Sequence, residues 1–285
     1  MGIVVNTNGC SILVQRSMAT ATSEISKSLE KLSTGFKINR AADDAAGLVI
    51  SESLRSQARG SAQASSNALT GVNLLQTAEA DLGIVHENLQ RVRDLTVQAS
   101  NGTYGTTERA AIYSEVSART QEIDRISKSS AFNTIKLLDG SNTSLVLQIG
   151  SNSSSSLNSL SIGQPLSKAT SSSLGLGTSA EVSTAFVTAA AAASFLSKID
   201  TAISTVSTRR SQIGSIQNRL DSAIKSLSIK QENMLSADSR IRDTDVAKEA
   251  ANLTKNQILQ QASASLLAQA NQSPEISLDL LKESS

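Results

Sequence analysis

Apolar residues recur along most of this chain at alternating intervals of three and four, the spacing that lines one side of a helix. The clearest run is Leu75, Ala78, Leu82, Val85, Leu89, Val92, Thr96 and Ala99. Sustained over successive heptads, it predicts a coiled-coil seam. A second run has the same spacing: Ile199, Ile203, Val206, Arg210, Ile213, Gln217, Leu220, Ile224, Leu227, Gln231 and Met234. Polar members of a seam cost stability and fix register and partner, so Arg210, Gln217 and Gln231 read as specificity devices. Shorter stripes flank these two. Ile25, Leu29, Leu32 and Phe36 lie near the N-terminus, and Val246, Ala250, Leu253, Gln257, Gln260, Ala264 and Leu267 near the C-terminus. The last stripe is weakly apolar, and such a helix depends on packing for its stability. The N-terminal helix is its simplest partner.

Breaks between the periodic runs set the elements. Gly35 and residues 39–42 end the first helix, and Asp43 and Asp44 stand where a carboxylate can accept the first-turn N–H groups of the next. Asn101-Gly102 ends that helix, and another over 107–129 places Ile112, Val116, Ile123 and Ile126 along one side. Residues 135–138 and 144–149, with Asp139-Gly140 between them, predict a β-hairpin turning at Asp-Gly. Residues 151–179 are Ser-rich, with Gly163, Gly175, Gly177 and Pro165, and predict turns, short strands and exposed loop. Long helices are predicted over 181–237 and 243–270. The fold class is mainly α: a long antiparallel helical rod or coiled coil formed by the N- and C-terminal segments, with a small β-hairpin and loop region in the middle. The chain divides into 1–42, 43–180, 181–239 and 240–285.

Composition agrees with extended helices rather than a compact ball. Aromatics are 2% of residues, Trp is absent and only Pro165 and Pro274 interrupt the chain, which suits long Ala-, Leu- and Gln-rich helices. Lys and Arg total 26 against 25 Asp and Glu, a net charge of +1. Without a basic patch, nucleic acid is not an expected partner, and near-neutrality tolerates self-association. Cys10 is the single cysteine, which excludes an intrachain disulfide and a multi-cysteine metal site. No run approaches the ~20 apolar residues of a membrane helix. The N-terminal residues lack a basic n-region, since Arg16 is the first cation, and Asn6 stands where N-myristoylation wants Ser or Thr.

Candidate chemistry is sparse. His86 is the sole histidine, so an HExxH zinc site cannot be assembled, and neither a phosphate-binding GxxxxGK[ST] loop nor a GxGxxG after a strand occurs. Gly47, Gly60, Gly71 and Gly83 read as places of close helix approach or slight bending. Asp243 and Asp245 fall at a helix start, where dipole compensation explains them. The Ser-rich middle offers no His, Cys or Asp. The expectation is a structural protein without enzymatic activity, cofactor or metal.

Both ends resemble bacterial flagellin. The resemblance is carried by Val5-Asn6-Thr7-Asn8, by Leu29-Glu30-Lys31-Leu32-Ser33-Thr34-Gly35-Phe36-Lys37-Ile38-Asn39, and by Ala41-Ala42-Asp43-Asp44-Ala45-Ala46-Gly47-Leu48. Leu89-Gln90-Arg91-Val92-Arg93-Asp94-Leu95 and Glu122-Ile123-Asp124-Arg125 continue it. At the other end stand Ile241-Arg242-Asp243, Ala251-Asn252-Leu253-Thr254, Gln257-Ile258-Leu259-Gln260-Gln261 and Leu267-Ala268-Gln269-Ala270-Asn271-Gln272. Residues 1–140 and 195–282 are covered.

The resemblance implies a subunit that polymerises into the extracellular flagellar filament, the helical propeller of motility. Residues 1–42 and 240–285 become its inner-core helices, with Ile25, Leu29, Leu32, Val246, Leu253 and Leu267 serving inner-core assembly. It implies export through the flagellar channel without a cleavable signal, and as partners further flagellin subunits, hook-filament junction and cap proteins, and an export chaperone. Family members that carry the epitope of the flagellin-sensing Toll-like receptor present an Arg, a Leu and a Glu, matched here by Arg91, Leu95 and Glu115. Ser153, Ser154, Ser155, Ser171, Ser172 and Ser173 match loops that accept O-glycans in some relatives. A hook-filament junction protein and a soluble coiled-coil scaffold are the alternative readings.

Overall fold

A computed structural model describes residues 7–142, 144–152 and 158–283, and the chain is mainly helical. Readings that rest on residues 1–6, on Ser153, Ser154 and Ser155, or on Ser284 and Ser285 lie outside those residues. The helices are α1 (Gly9–Thr34), α2 (Ala45–Ala99), α3 (Thr106–Ser129), α4 (Ser179–Ala185), α5 (Ala189–Arg242) and α6 (Val246–Glu283). Among the described residues four short strands lie between α3 and α4: β1 (Ala131–Phe132), β2 (Ile135–Lys136), β3 (Val146–Gln148) and β4 (Ser159–Ser161). The chain forms two compact units, Met1–Ser56 with Asn233–Ser285, and Gln57–Glu232. These boundaries fall inside α2 and α5, whereas the sequence-based divisions follow helix ends.

In the middle unit, Gln57–Glu232, α2 is the central element. Arg93 meets Asp200 at 2.7 Å and Arg210 meets Glu79 at 3.6 Å, so α5 runs antiparallel along one side of α2. Arg91 to Glu115 at 2.9 Å and Arg119 to the buried Asn88 at 3.3 Å hold α3 on another. The face of α3 turned inward carries Ile112, Val116, Ile123 and Ile126, as its periodicity predicts.

The strands pair differently from the expectation. β1 pairs with β2 around Asn133-Thr134, whose φ angles of 46° and 69° form the tight turn. β3 pairs with β4, with Leu147 opposite Leu160. Among the described residues no strands pair across Asp139-Gly140. The reason is the pull of the core: Leu137 and Leu138 are enclosed, and the Leu137 N–H donates to the Ser130 carbonyl. Asp139 instead accepts from the hydroxyl and then the N–H of Ser141, which hold its carboxyl below the usual carboxylate range.

The Ser-rich middle is not simply exposed loop. Leu160, Ile162, Leu166, Ala169, Leu174 and Leu176 are buried in the same core as α2, α3 and α5. Hydrogen bonds fasten it: the Ser171 N–H donates to Asp124 at 2.7 Å, and Arg209 donates to the carbonyls of Ser167 and Lys168 at 3.0 and 2.9 Å. Gly71 and Gly60 face the β3 end of this region. A Cβ on Gly71 would stand 2.2 Å from Leu147, and one on Gly60 2.8 Å from Ser151, so these two glycines permit close approach of strand and turn rather than of another helix.

The helix expected over 181–237 is two helices. A capping box at Thr178 and Glu181 starts α4. Phe186 then leaves the helix to pack between Tyr113 and Phe195, with ring centroids 6.1 and 6.0 Å away. The Thr188 hydroxyl accepts the Ala191 N–H and starts α5, which continues to Arg242 with Arg240 and Arg242 in its last turn.

The capping box gives a pH prediction. The Thr178 N–H, donating at 2.6 Å, and then the Thr178 side chain hold the Glu181 carboxyl below its ordinary value of 4.5. A carboxylate with a depressed folded-state pKa stabilises fully above its unfolded value, and the contribution fades as pH falls through the folded one. Thermal melts followed by circular dichroism should therefore fall on acidification from neutral to about pH 3. Glu181→Gln should shallow that limb and leave the neutral side nearly flat.

In the terminal unit, α1 and α6 lie antiparallel. Asp44 accepts the Gly47 N–H at 2.8 Å and opens α2, and Asp245 accepts the Lys248 N–H at 3.1 Å and opens α6. Gly35, with φ of 77°, ends α1. The turns after α1 and after α5 interlock: the Lys37 N–H donates to the Arg242 carbonyl at 2.7 Å and the Thr244 N–H to the Gly35 carbonyl at 2.9 Å. Arg242 also lies over the Phe36 ring, 4.7 Å from its centroid, and pairs with Glu52 at 2.9 Å.

Candidate functional site

The surfaces able to act lie on the two sets of long helices. In the middle unit every member of the first seam, Leu75, Ala78, Leu82, Val85, Leu89, Val92, Thr96 and Ala99, is completely enclosed, because α2 is covered from several sides. In the second seam Ile199, Val206, Ile213 and Leu220 are completely enclosed and Leu227 nearly so. Ile203 and Ile224 are half-buried against the same core. Every seventh position thus faces α2 squarely, and the intervening ones sit at its rim. Arg210, Gln217 and Gln231 occupy the rim, which lets Arg210 reach Glu79 and explains how polar residues survive in the pattern.

The terminal unit departs further from its sequence reading. Residues facing α6 from α1 are Ser11, Val14, Met18, Ala21, Ile25, Ser28 and Leu32, spaced three and four apart. Those facing back are Glu249, Leu253, Asn256, Gln260, Ser263, Leu267 and Ala270. Ile25, Leu32, Leu253 and Leu267 are therefore on the packed side. Leu29 is 52% exposed and Val246 61%, and Ala250, Gln257 and Ala264 are exposed as well. The predicted stripe of α6 had the right period, but on four positions it followed the neighbouring face. The most deeply buried positions of the contact are the small Ser11, Ala21, Ser28 and Ser263, set among half-buried aliphatic residues, and polar side chains bond across it. The Ser28 hydroxyl donates to Glu249 at 2.6 Å, Gln260 to the Thr22 hydroxyl at 2.9 Å, Ser11 to Asn271 at 3.1 Å and the Asn8 amide to the Ala270 carbonyl at 2.7 Å.

Large apolar side chains are left on the outside. Ile12, Leu13, Leu29, Val49, Ile50, Val246, Ile258, Leu259 and Leu266 are all exposed. An open cleft of about 330 Å³ between α1 and α6 has Leu13, Ala21 and Leu259 among its lining, with Arg16 and Glu24 beside them. Leu13 and Leu259 line the same cleft, and exposed apolar surface brought together in this way points to an interaction site. Periodicity could not have shown it: Leu13, Ile258 and Leu259 are as apolar as any seam residue, and nothing in spacing alone distinguishes a face covered within the chain from one covered by another molecule.

The remaining candidate residues are scattered. Arg91 and Glu115 share an exposed ion pair, whereas Leu95 is 4% exposed and belongs to the core, so its side chain offers almost no surface. Ser171 is buried, while Ser172 and Ser173 are exposed and the Ser173 hydroxyl is bonded to the Lys168 carbonyl. His86 lies 2.9 Å from the Gln90 amide on the same helix. Among the described residues no three His, Cys, Asp or Glu side chains gather to hold a metal ion, and no helix is long and apolar enough to cross a membrane.

Residues 5–143 match the family model for the bacterial flagellin N-terminal helical region, and residues 196–281 that for the bacterial flagellin C-terminal helical region. A flagellin of Halalkalibacterium halodurans is 42% identical over 98% of this chain and 100% of its own length. A flagellin of Bacillus subtilis is 42% identical over 98% of this chain and 99% of its own. A solved structure described as a flagellar hook-associated protein of Vibrio parahaemolyticus covers 70% of this chain and 100% of that one with a TM-score of 0.59 at 17% identity, a likeness of fold.

Proposed function

Since the chain belongs to the bacterial flagellin family and is a structural subunit of the flagellar filament rather than an enzyme, we propose that its two units divide the work of assembly. The terminal unit supplies the polymer contacts: residues 1–42 and 240–285 form inner-core helices whose outward apolar faces are covered by neighbouring copies. The middle unit supplies a stably folded body whose seam is satisfied within the chain.

One observation carries this reading. The positions buried most deeply between α1 and α6 are Ser11, Ala21, Ser28 and Ser263, with only half-buried aliphatic residues among them, while Ile12, Leu13, Ile258, Leu259 and Leu266 stay outside. A chain destined to remain monomeric would be arranged the other way round. Head-to-tail contacts that do not close on themselves then extend as a helical fibre.

The same apolar face bears on the other partners. Before assembly an export chaperone covers α6 and keeps it from premature association, and the subunit travels through the filament's own channel to be received by cap proteins, the first subunits seating on the hook-filament junction. The Arg91–Glu115 pair forms the exposed part of a contact for the flagellin-sensing Toll-like receptor, and Ser172 and Ser173 are the accessible acceptors for O-glycans.

The test compares the purified full chain with one lacking residues 240–285 by negative-stain electron microscopy. Long filaments from the full chain alone support the division of work. Filaments from both would remove α6 from the polymer contact, and none from either, even on preformed seeds, would leave the junction-protein reading in its place.

A further inference from the structure

Two asparagine–glycine steps occur in this sequence, Asn8-Gly9 and Asn101-Gly102. The dipeptide carries a reaction of its own. The glycine nitrogen attacks the asparagine Cγ, a C–N bond forms, the Cγ–Nδ2 bond breaks, and ammonia leaves with the proton that the glycine nitrogen gives up. Water then opens the cyclic imide at either carbonyl, giving aspartate or isoaspartate. Glycine permits the approach because no Cβ obstructs it and its backbone rotates freely. The sum is asparagine plus water giving the acid plus ammonia, with no oxidant or enzyme.

The structure places the two steps in opposite circumstances. Asn8 caps α1: its Oδ1 accepts the Ser11 N–H at 3.1 Å, its Nδ2 donates to the Ala270 carbonyl at 2.7 Å, and the Gly9 N–H donates to the Thr7 carbonyl at 3.1 Å. Attack there would require the tie to α6 and the Gly9 bond to break and the side chain to turn out of its capping orientation. Asn101 is exposed in the loop after α2, and Gly102 has open space around its Cα. Its single side-chain bond favours reaction. The Thr103 N–H donates to Oδ1 at 3.2 Å, drawing electron density from Cγ and standing where the addition intermediate develops negative charge.

We infer that Asn101 is a site of spontaneous deamidation in the folded subunit, and that its counterpart Asn8 is shielded from the same reaction by its capping role. The product carboxylate lies just beyond the C-terminus of α2, where unpaired carbonyls already concentrate negative charge. Isoaspartate additionally inserts a methylene into the backbone of the α2–α3 loop. Because water is the only co-reactant, the modification accumulates with time in subunits held in a polymer.

The full chain, incubated at mildly alkaline pH with and without concentrated urea, is digested and the peptides spanning Asn8 and Asn101 are quantified by mass spectrometry. Isoaspartyl methyltransferase labelling identifies the isoaspartate fraction. In the folded chain Asn101 should convert at least about tenfold faster than Asn8, the cost of first breaking the bonds around Asn8. In urea the two rates should converge, because the dipeptides are the same. Asn101→Gln should abolish the product at that peptide. Equal rates in the folded chain would overturn the shielding of Asn8, and an Asn101 that reacts only in urea would overturn the site itself.

Discussion

Replacing both Leu13 and Leu259 by aspartate is expected to abolish filament formation while leaving the helicity of the free subunit unchanged. Leu13 is 71% exposed and Leu259 44%, and both line the cleft between α1 and α6. Within one subunit they stabilise little, so circular dichroism and thermal melting should hardly move. In the polymer each would bury a leucine worth roughly 1.5–3 kcal/mol. At 1.4 kcal/mol per tenfold, losing one raises the critical concentration by about tenfold to a hundredfold, before the cost of burying a carboxylate is counted. Sedimentation of polymer across a concentration series measures it. An unchanged critical concentration would show that these faces are not the assembly surface.

The second large effect belongs to the middle unit. Leu82→Asp should unfold it, with loss of its cooperative melt and rapid proteolysis between α2 and α5. Leu82 is completely enclosed at the centre of the seam. Leu82→Ala alone should cost ~2–5 kcal/mol, a large part of the ~5–15 kcal/mol that a domain has. Aspartate adds an ionisable group to an enclosed apolar position, where it must either desolvate or take up a proton. A mutant melting within a few degrees of the parent would mean that water reaches this position and that the seam is less tightly closed than its burial indicates.

These contrasting outcomes explain which parts of the molecule were readable from the chain. The α2 seam was legible position by position because its partners are all intramolecular, so apolar spacing and burial report the same thing. The α5 seam was legible too, and its polar members fell on the rim, where a guanidinium reaches a carboxylate without leaving water entirely. Along α1 and α6 the two signals separate. Ser11, Ala21, Ser28 and Ser263 face the partner helix and Leu29 does not, so a reading that assigns the apolar face to the inside selects a neighbouring face. Tertiary pull misled the strand assignment: Asp139-Gly140 has the composition of a hairpin turn, but Leu137 and Leu138 enter the core and leave no strand to pair. Phe186 broke a helix for the same reason. In the Ser-rich middle the apolar residues were too sparse for periodicity, although Leu160, Ile162, Leu166, Leu174 and Leu176 are all buried. The motifs at the two ends conveyed the family, whereas accessibility of Leu95 and Ser171 depended on packing that no local motif records.

The hydrogen-bonded contact between α1 and α6 also fixes how the subunit and its polymer respond to temperature. Separating these helices exposes serines and amides together with aliphatic side chains that are already half-exposed, so it adds less to the heat-capacity change of unfolding than opening the apolar core of the middle unit. Covering Ile12, Leu13, Ile258, Leu259 and Leu266 with another copy removes hydrocarbon from water and carries a negative heat-capacity change of its own. Hydrophobic association weakens on cooling while hydrogen bonding does not depend on it. Chilling should therefore loosen subunit from subunit before it parts α1 from α6.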